Sequence, residues 1–303
     1  MDRDQIRERE QQRLSEGREL YSDDTGKPHL RLSVAAYLDA LGTKDAIQTM
    51  TNEGLQRQIG LLDDLNRTLH DPSWESRYQR MLTFSDSIAV AVPIVGTEIG
   101  SELGILSDSI STYQFQLALS GRFLRGGIST GDVYADYAHI TGPALVEAVL
   151  LEEQTAVVPR VLLSTEALEY ALYTGHTSYG SEAYQSEWNR TYMVDADGRA
   201  FVNYLDTALT AEQDDVGLAE DFLQEHKDAV VAALTTYSEP SRIREKYVWV
   251  AQYHNAFCAQ HRQSDSLQIT HPDLTGLEEL YPRPFRPLFE PETDPADPAD
   301  GAR

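Results

Sequence analysis

The segment Ser33-Val34-Ala35-Ala36-Tyr37-Leu38-Asp39-Ala40-Leu41-Gly42-Thr43-Lys44 sets one carboxylate into an apolar run and follows it closely with glycine. A strand this hydrophobic reads as covered on both faces. An unpartnered carboxylate there costs on the order of several kcal/mol, so Asp39 must have a partner. A metal ion is the partner we expect, because a second apolar strand, predicted over 80–95 and ending at Pro93, repeats the pattern as Leu82-Thr83-Phe84-Ser85-Asp86-Ser87-Ile88-Ala89-Val90-Ala91-Val92. Two aspartates on neighbouring strands can share cations.

What surrounds these strands decides the fold class. Apolar residues at Ile47, Met50, Leu55, Ile59, Leu62, Leu65 and Leu69 predict one or two amphipathic helices over 43–70, and Ser101 to Leu119 reads as another. Residues 123–134 read as a strand pair around Gly126, Gly127 and Gly131, glycines that suggest close approach of backbone or ligand. Pro143 suits the first turn of a helix running to Glu152. A short strand over 159–164, a helix over 165–173 and a hairpin turning at Asp195-Ala196-Asp197-Gly198 follow. That order predicts an α/β sandwich, helices packed on a mixed sheet. Beyond it, helices over 211–237 and 241–263 form a C-terminal helical hairpin. The expected divisions are a charged arm over 1–28, the sheet domain over 29–208, the hairpin over 209–265, and a tail over 266–303 whose Pro/Asp-rich end is predicted to be disordered.

Charge and cysteine usage narrow the function. With 49 acidic against 25 basic residues the formal net charge is -24, which repels a phosphate backbone, so no nucleic-acid partner is expected. A small anion remains possible where metals or local cations offset that field. The single cysteine, Cys258, excludes an intrachain disulfide and reads as a small buried helix residue. Without an apolar leader or a run of eighteen apolar residues, neither export signal nor membrane span is expected, and the reading is cytoplasmic.

Two carboxylates with few other ligand types nearby suit Mg²⁺ or Mn²⁺, which prefer oxygen and share substrate phosphates. Two-metal sites of this kind serve phosphoryl and nucleotidyl transfer. Gly42 lets the chain turn straight after Asp39, so the amides of Gly42, Thr43 and Lys44 could meet phosphate oxygens, with the Lys44 charge beside them. Each element also has a plain structural reading: Asp39 as a turn residue, Asp86 capping a bend within Ser85-Asp86-Ser87, the glycines as hairpin glycines, and Trp249 with Tyr253 as a packed helical face.

Tyr-Leu-Asp-Ala-Leu-Gly at 37–42, Phe-Ser-Asp-Ser at 84–87, Arg-Gly-Gly-Ile-Ser-Thr-Gly at 125–131, Gly-Pro-Ala-Leu-Val-Glu-Ala-Val-Leu-Leu-Glu at 142–152 and Pro-Arg-Val at 159–161 occur together in this order. In this the chain resembles the class III nucleotidyl cyclases, and more narrowly the pyrimidine (uridylate and cytidylate) cyclases of Pycsar anti-phage defence, over about residues 30–205. The resemblance implies a mixed, mainly antiparallel sheet with packed helices. It makes Asp39 and Asp86 ligands of two Mn²⁺ or Mg²⁺ ions, with the Ala40 carbonyl as a third contact. The implied reaction converts UTP or CTP, UTP preferred, to the 3′,5′-cyclic monophosphate and pyrophosphate, a messenger for a separate cyclic-nucleotide-responsive effector. Because that family's sites lie between two cyclase domains, a homodimer is implied.

Departures from the family shift the expected roles. The base-reading lysine and aspartate of its purine cyclases fall here on Leu82 and His139, which, with Gly42, Thr43 and Lys44, are the residues expected on the substrate. Its transition-state asparagine and arginine fall on Val146 and Leu150. Another cation must then stabilise the developing charge; Arg125 and Lys44 are expected in that role, with Arg160 and Lys246 as further candidates. The competing readings are a divergent adenylate or guanylate cyclase and a catalytically silent cyclase-fold nucleotide-binding module.

Overall fold

The strand carrying Asp39 lies inside the sheet. In the computed structural model, which describes residues 20–41, 50–69, 79–95, 100–212, 217–239, 241–275 and 285–291, β1 (Arg31–Ala40) pairs antiparallel with β3 (Ser87–Pro93) on one side and β4 (Leu124–Ala135) on the other. Side chains of a strand alternate between its faces. Val34, Ala36, Leu38 and Ala40 therefore enter one core, and Ser33, Ala35, Tyr37 and Asp39 point to the opposite face. The first core is closed by α1 (Asn52–Leu69), α2 (Gly100–Leu119) and α4 (Thr165–Tyr179). The opposite face is covered by α3 (Pro143–Leu150), whose Ala144 packs with Ala35, Ala91 and Val133.

The single strand predicted over 80–95 is instead a hairpin. β2 (Arg80–Phe84) turns through Ser85 and Asp86 into β3, with Ser85 at φ 59°. Short polar residues tolerate that left-handed turn geometry, and both arms are apolar, so the hydrophobic pattern runs across the reversal unbroken. Ala40 N donates to the Asp86 carbonyl at 3.3 Å, tying the turn to the end of β1. The pair of strands predicted over 123–134 is, conversely, one strand of 12 residues. Its glycines serve close packing: a Cβ on Gly127 would lie 2.5 Å from the Ala148 carbonyl oxygen and 2.7 Å from Leu151 Cβ, so α3 seats directly on β4 only because Gly127 has no side chain.

The remaining strands extend the sheet away from β1. β6 (Val161–Leu163) runs parallel to β4, and the hairpin predicted at Asp195 to Gly198 forms between β7 (Tyr192–Val194), which follows the short α5 (Glu187–Thr191), and β8 (Ala200–Val202). β9 (Arg286–Pro287) adds to β7, and β5 (Ile140–Thr141) pairs beside the path on β4. The order is β2-β3-β1-β4-β6-β8-β7-β9. The architecture is thus mixed α/β with a mainly antiparallel sheet and helices packed on it.

A second core lies between that end of the sheet and α6 (Asp206–Glu212), α7 (Leu218–Thr236) and α8 (Arg242–Gln260), the helices of the expected hairpin region. Phe201 of β8 meets Trp249, Tyr253 and Phe285 edge-on there. Segment 285–291, assigned to the tail from sequence, returns to the domain: Phe289 lies against Gly175 and exchanges hydrogen bonds with the Asn189 side chain. Residues 1–19 of the predicted arm and 292–303 of the tail lie outside the described residues. Among the described residues no helix is long and apolar enough to cross a membrane.

Candidate active site

Asp39 is the penultimate residue of β1, in register with Ser87 on one side and Arg125 on the other. Ser87 Oγ donates to its Oδ1 at 3.3 Å, and Arg125 Nη2 reaches its Oδ2 at 3.3 Å. Both contacts are long for their type. Burial raises the Asp39 carboxyl above the usual range; the Arg125 charge pulls it down, and the Asp86 charge pushes it up again. The last effect places the two predicted carboxylates within electrostatic reach of one another. Asp86 sits in the β2–β3 turn, and behind that turn Ala40, Ser85 and Asp86 line a narrow crevice with Arg122.

A third carboxylate joins them. At the end of α3 the chain widens into a π turn over Leu151–Thr155, closed by Ala156 N donating to the Leu151 carbonyl at 2.7 Å. Such turns recur at functional sites because they re-aim a side chain. Here the turn carries Glu152, with a side chain 3% exposed, inward to Arg125, Oε1 lying 2.6 Å from Nε. Neither atom has an aligned hydrogen bond, so the pair is a charge contact approached off the N–H axis. Burial raises the Glu152 carboxyl, Arg125 opposes that, and Asp39 adds to it. Lys246, near the start of α8, completes the cluster. Burial lowers its ammonium, the Arg125 charge lowers it further, and Asp39 and Glu152 pull it back. One end of the sheet therefore gathers Asp39, Asp86 and Glu152 with Arg125 and Lys246.

Among the described residues no group of three or more His, Cys, Asp or Glu side chains is placed to hold a metal ion. What this end can offer an ion is the pair Asp39 and Asp86 with neighbouring backbone carbonyls, such as that of Ala40. That set fits Mg²⁺ or Mn²⁺, which fill the rest of their octahedra with water and phosphate oxygens, and does not fit zinc.

The other expected residues fall in different places. Gly42, Thr43 and Lys44 lie outside the described residues. Leu82 pairs with Ala89, which pairs with Tyr37, so it lies level with Tyr37, two strands from β1 and near the same end. His139 is not brought to Asp39. It follows the far end of β4, and at roughly 3.3 Å per residue the strand from Arg125 to Ala135 places it about 30 Å away. Its side chain is 69% exposed, with Nδ1 3.0 Å from Asp136 Oδ1. Arg160 is not free to serve the site: its buried guanidinium clamps the β7–β8 turn through Asp195 and through Asp197 at 2.5 Å. Val146 and Leu150 stand exposed on α3. Trp249 and Tyr253 stack with ring centroids 5.6 Å apart, the packed face expected of them.

Sequence reasoning had no role for Glu152, although it closes the motif segment 142–152. Its only sequence signal was a carboxylate at the end of an apolar helix. The partner that gives it meaning comes from a strand 27 positions earlier, the difference between 152 and 125.

No protein-family model matches the chain, and neither does any curated protein sequence. Among solved structures the chain is similar to a class III adenylyl cyclase-like ATP-binding protein from Pseudomonas aeruginosa, with 13% identity and a TM-score of 0.36, covering 52% of this chain and 40% of that one. A likeness of this size leaves the functional reading to the chain's own residues.

Proposed function

We propose that the protein is a metal-dependent nucleotidyl cyclase that converts UTP, or CTP, to its 3′,5′-cyclic monophosphate, a second messenger in anti-phage defence. The observation that carries the reading is the convergence of Asp39 and Asp86 at one sheet end, where Asp39 pairs with Ser87 and Ala40 N donates to the Asp86 carbonyl, beside the Arg125 guanidinium. Asp39 and Asp86 would hold the divalent ions, with the Ala40 carbonyl as a further oxygen. When bound, those ions supply positive charge to the triphosphate and acidify the 3′-hydroxyl. Arg125 presents fixed N–H donors where negative charge develops on the phosphates, and arginine suits that work because its planar fork stays protonated. Lys246, from α8, is a second cation available for the charge that the family's arginine, here Leu150, would have met. The apolar Leu82 has no charge with which to read a purine edge, which supports a pyrimidine substrate.

A homodimer belongs to this reading. His139 lies too far along its own chain to meet a nucleotide at Asp39, and a second copy packed head to tail supplies it. The exposed apolar residues of α3, Val146 and Leu150, suit the seam.

Those same two residues favour a second reading, a silent nucleotide-binding module, since neither can touch a transition state with a polar group. Incubation with ATP, GTP, CTP and UTP in Mn²⁺, with products identified by mass, decides between them. Cyclic UMP or cyclic CMP is expected. Metal and nucleotide binding with no product from any of the four contradicts the cyclase and supports the silent module.

A further inference from the structure

Arg125 faces two carboxylates with different edges of its fork. Nε lies 2.6 Å from Glu152 Oε1, and Nη2 lies 3.3 Å from Asp39 Oδ2. Glu152 is shut inside the π turn, and its Oε1 is without an aligned donor. A carboxylate oxygen sealed from water and held only by a misaligned charge contact is costly to the fold if that contact is lost. Glu152 therefore has no partner comparable to Arg125. Asp39 is in the opposite position, since its side chain is 21% exposed and Ser87 already supplies it a hydroxyl donor. Asp39 can exchange Arg125 for a cation, and Glu152 cannot.

We propose that Glu152 is the positioning residue for Arg125: it anchors the guanidinium through Nε, so that when Asp39 takes up a divalent ion the Nη2 edge is left facing the phosphates instead of following the carboxylate. The proposal rests on the reading above that Asp39 is a metal ligand. Arg125 and the ion then compete for Asp39 in the nucleotide-free protein, and Glu152 limits that competition by holding Arg125 at its contact of 3.3 Å. With the Glu152 charge removed by substitution, Arg125 has Asp39 as its remaining carboxylate contact and opposes the ion more strongly.

The test is a Mn²⁺ titration of the nucleotide-free, full-length protein, read by the electron-spin resonance signal of free Mn²⁺. Residues that share one salt-bridge network couple by about 0.5–3 kcal/mol, or about 2- to 150-fold. Glu152→Gln, nearly isosteric, is expected to weaken Mn²⁺ about tenfold, and Arg125→Gln to tighten it about fivefold. The double variant is expected to match Arg125→Gln within about twofold, because Glu152 acts only through Arg125. Glu152→Asp, which retains the charge, is expected to recover part of the loss, which a general packing defect would not allow. A double variant as weak as Glu152→Gln makes Glu152 a ligand in its own right and overturns the proposal, as does unchanged Mn²⁺ affinity in Glu152→Gln. Failure of the underlying reading looks different: Asp39→Asn then leaves Mn²⁺ binding unaltered, whatever Glu152 does.

Discussion

The charged cluster around Asp39 and the histidine–tyrosine network of the second core are built on opposite terms. At the Asp39 end of the sheet the groups are charged, their contacts long or misaligned, and their carboxyls pushed up by burial. In the second core the groups are neutral and every bond has a direction. His254 Nε2 faces the Leu267 carbonyl at 2.9 Å and must donate, so its Nδ1 accepts from His226 Nδ1 at 3.0 Å. His226 Nε2 then accepts from the Tyr204 hydroxyl at 2.9 Å. Nearby the Tyr253 hydroxyl donates to Asn203 Oδ1 at 2.6 Å and accepts from Leu205 N at 3.1 Å. A structural network fills every donor and acceptor with protein. The Asp39 cluster instead leaves Arg125 Nε and Glu152 Oε1 without an aligned hydrogen bond.

The largest effect is expected from Asp39→Ala or Asp86→Ala. Each removes a carboxylate that the proposed function assigns to the metal and no core volume, so turnover is expected to fall by roughly a thousandfold or more, with an unaltered circular dichroism spectrum. Arg125→Ala follows, with a loss of about 100-fold in kcat, the size expected for one fixed donor at developing charge. Tyr253→Phe should do the reverse, lowering unfolding free energy by about 1–3 kcal/mol while kcat stays within a factor of about two, because it leaves Asn203 and Leu205 N short of a partner. Denaturant titration beside a turnover assay separates the two kinds of effect.

The clusters should also respond to pH with opposite sign. Burial holds His254 down to about 4 from an ordinary 6.5, and burial together with its neighbour His254 holds His226 well below its usual value. The unfolded chain therefore binds more protons than the fold below pH 6.5, and the stability these residues contribute is full above 6.5 and lost as pH falls toward 4. Asp39 and Glu152, raised chiefly by burial, bind protons in the fold that the unfolded chain has released, so their contribution improves as pH falls into the carboxylate range. Melts across this window should lose stability below pH 6.5 in the parent protein and lose less of it in His254→Gln. A flat profile contradicts the neutral network. The smallest effect concerns the tail: removing residues from 292 onward should leave the melting temperature unchanged, whereas removal from 285 also deletes β9 and the Phe289 anchor and should lower it.

How much of this was legible in the sequence follows from how local each signal is. The two aspartates stand out because a carboxylate in an apolar strand is anomalous within ten residues. The Asp195 to Gly198 hairpin declared itself through turn residues. The β2–β3 reversal did not, because its turn residues Ser85 and Asp86 interrupt no hydrophobic run on either arm. The Glu152–Arg125 contact depends on Gly127 admitting α3 to the sheet and on a π turn, and no periodicity encodes either. His139 and Arg160 show the same limit, since a strand's length and a buried turn decide where their side chains can act.

Crystals of the protein grown with Mn²⁺ and a non-cyclisable UTP analogue, measured at the manganese absorption edge, show where the ions and phosphates bind. Anomalous peaks are expected between Asp39 and Asp86, with phosphate oxygens on Arg125 Nη2 and Glu152 still against Nε. Manganese bound away from both aspartates, or nucleotide bound with Arg125 still on Asp39, contradicts the proposed site.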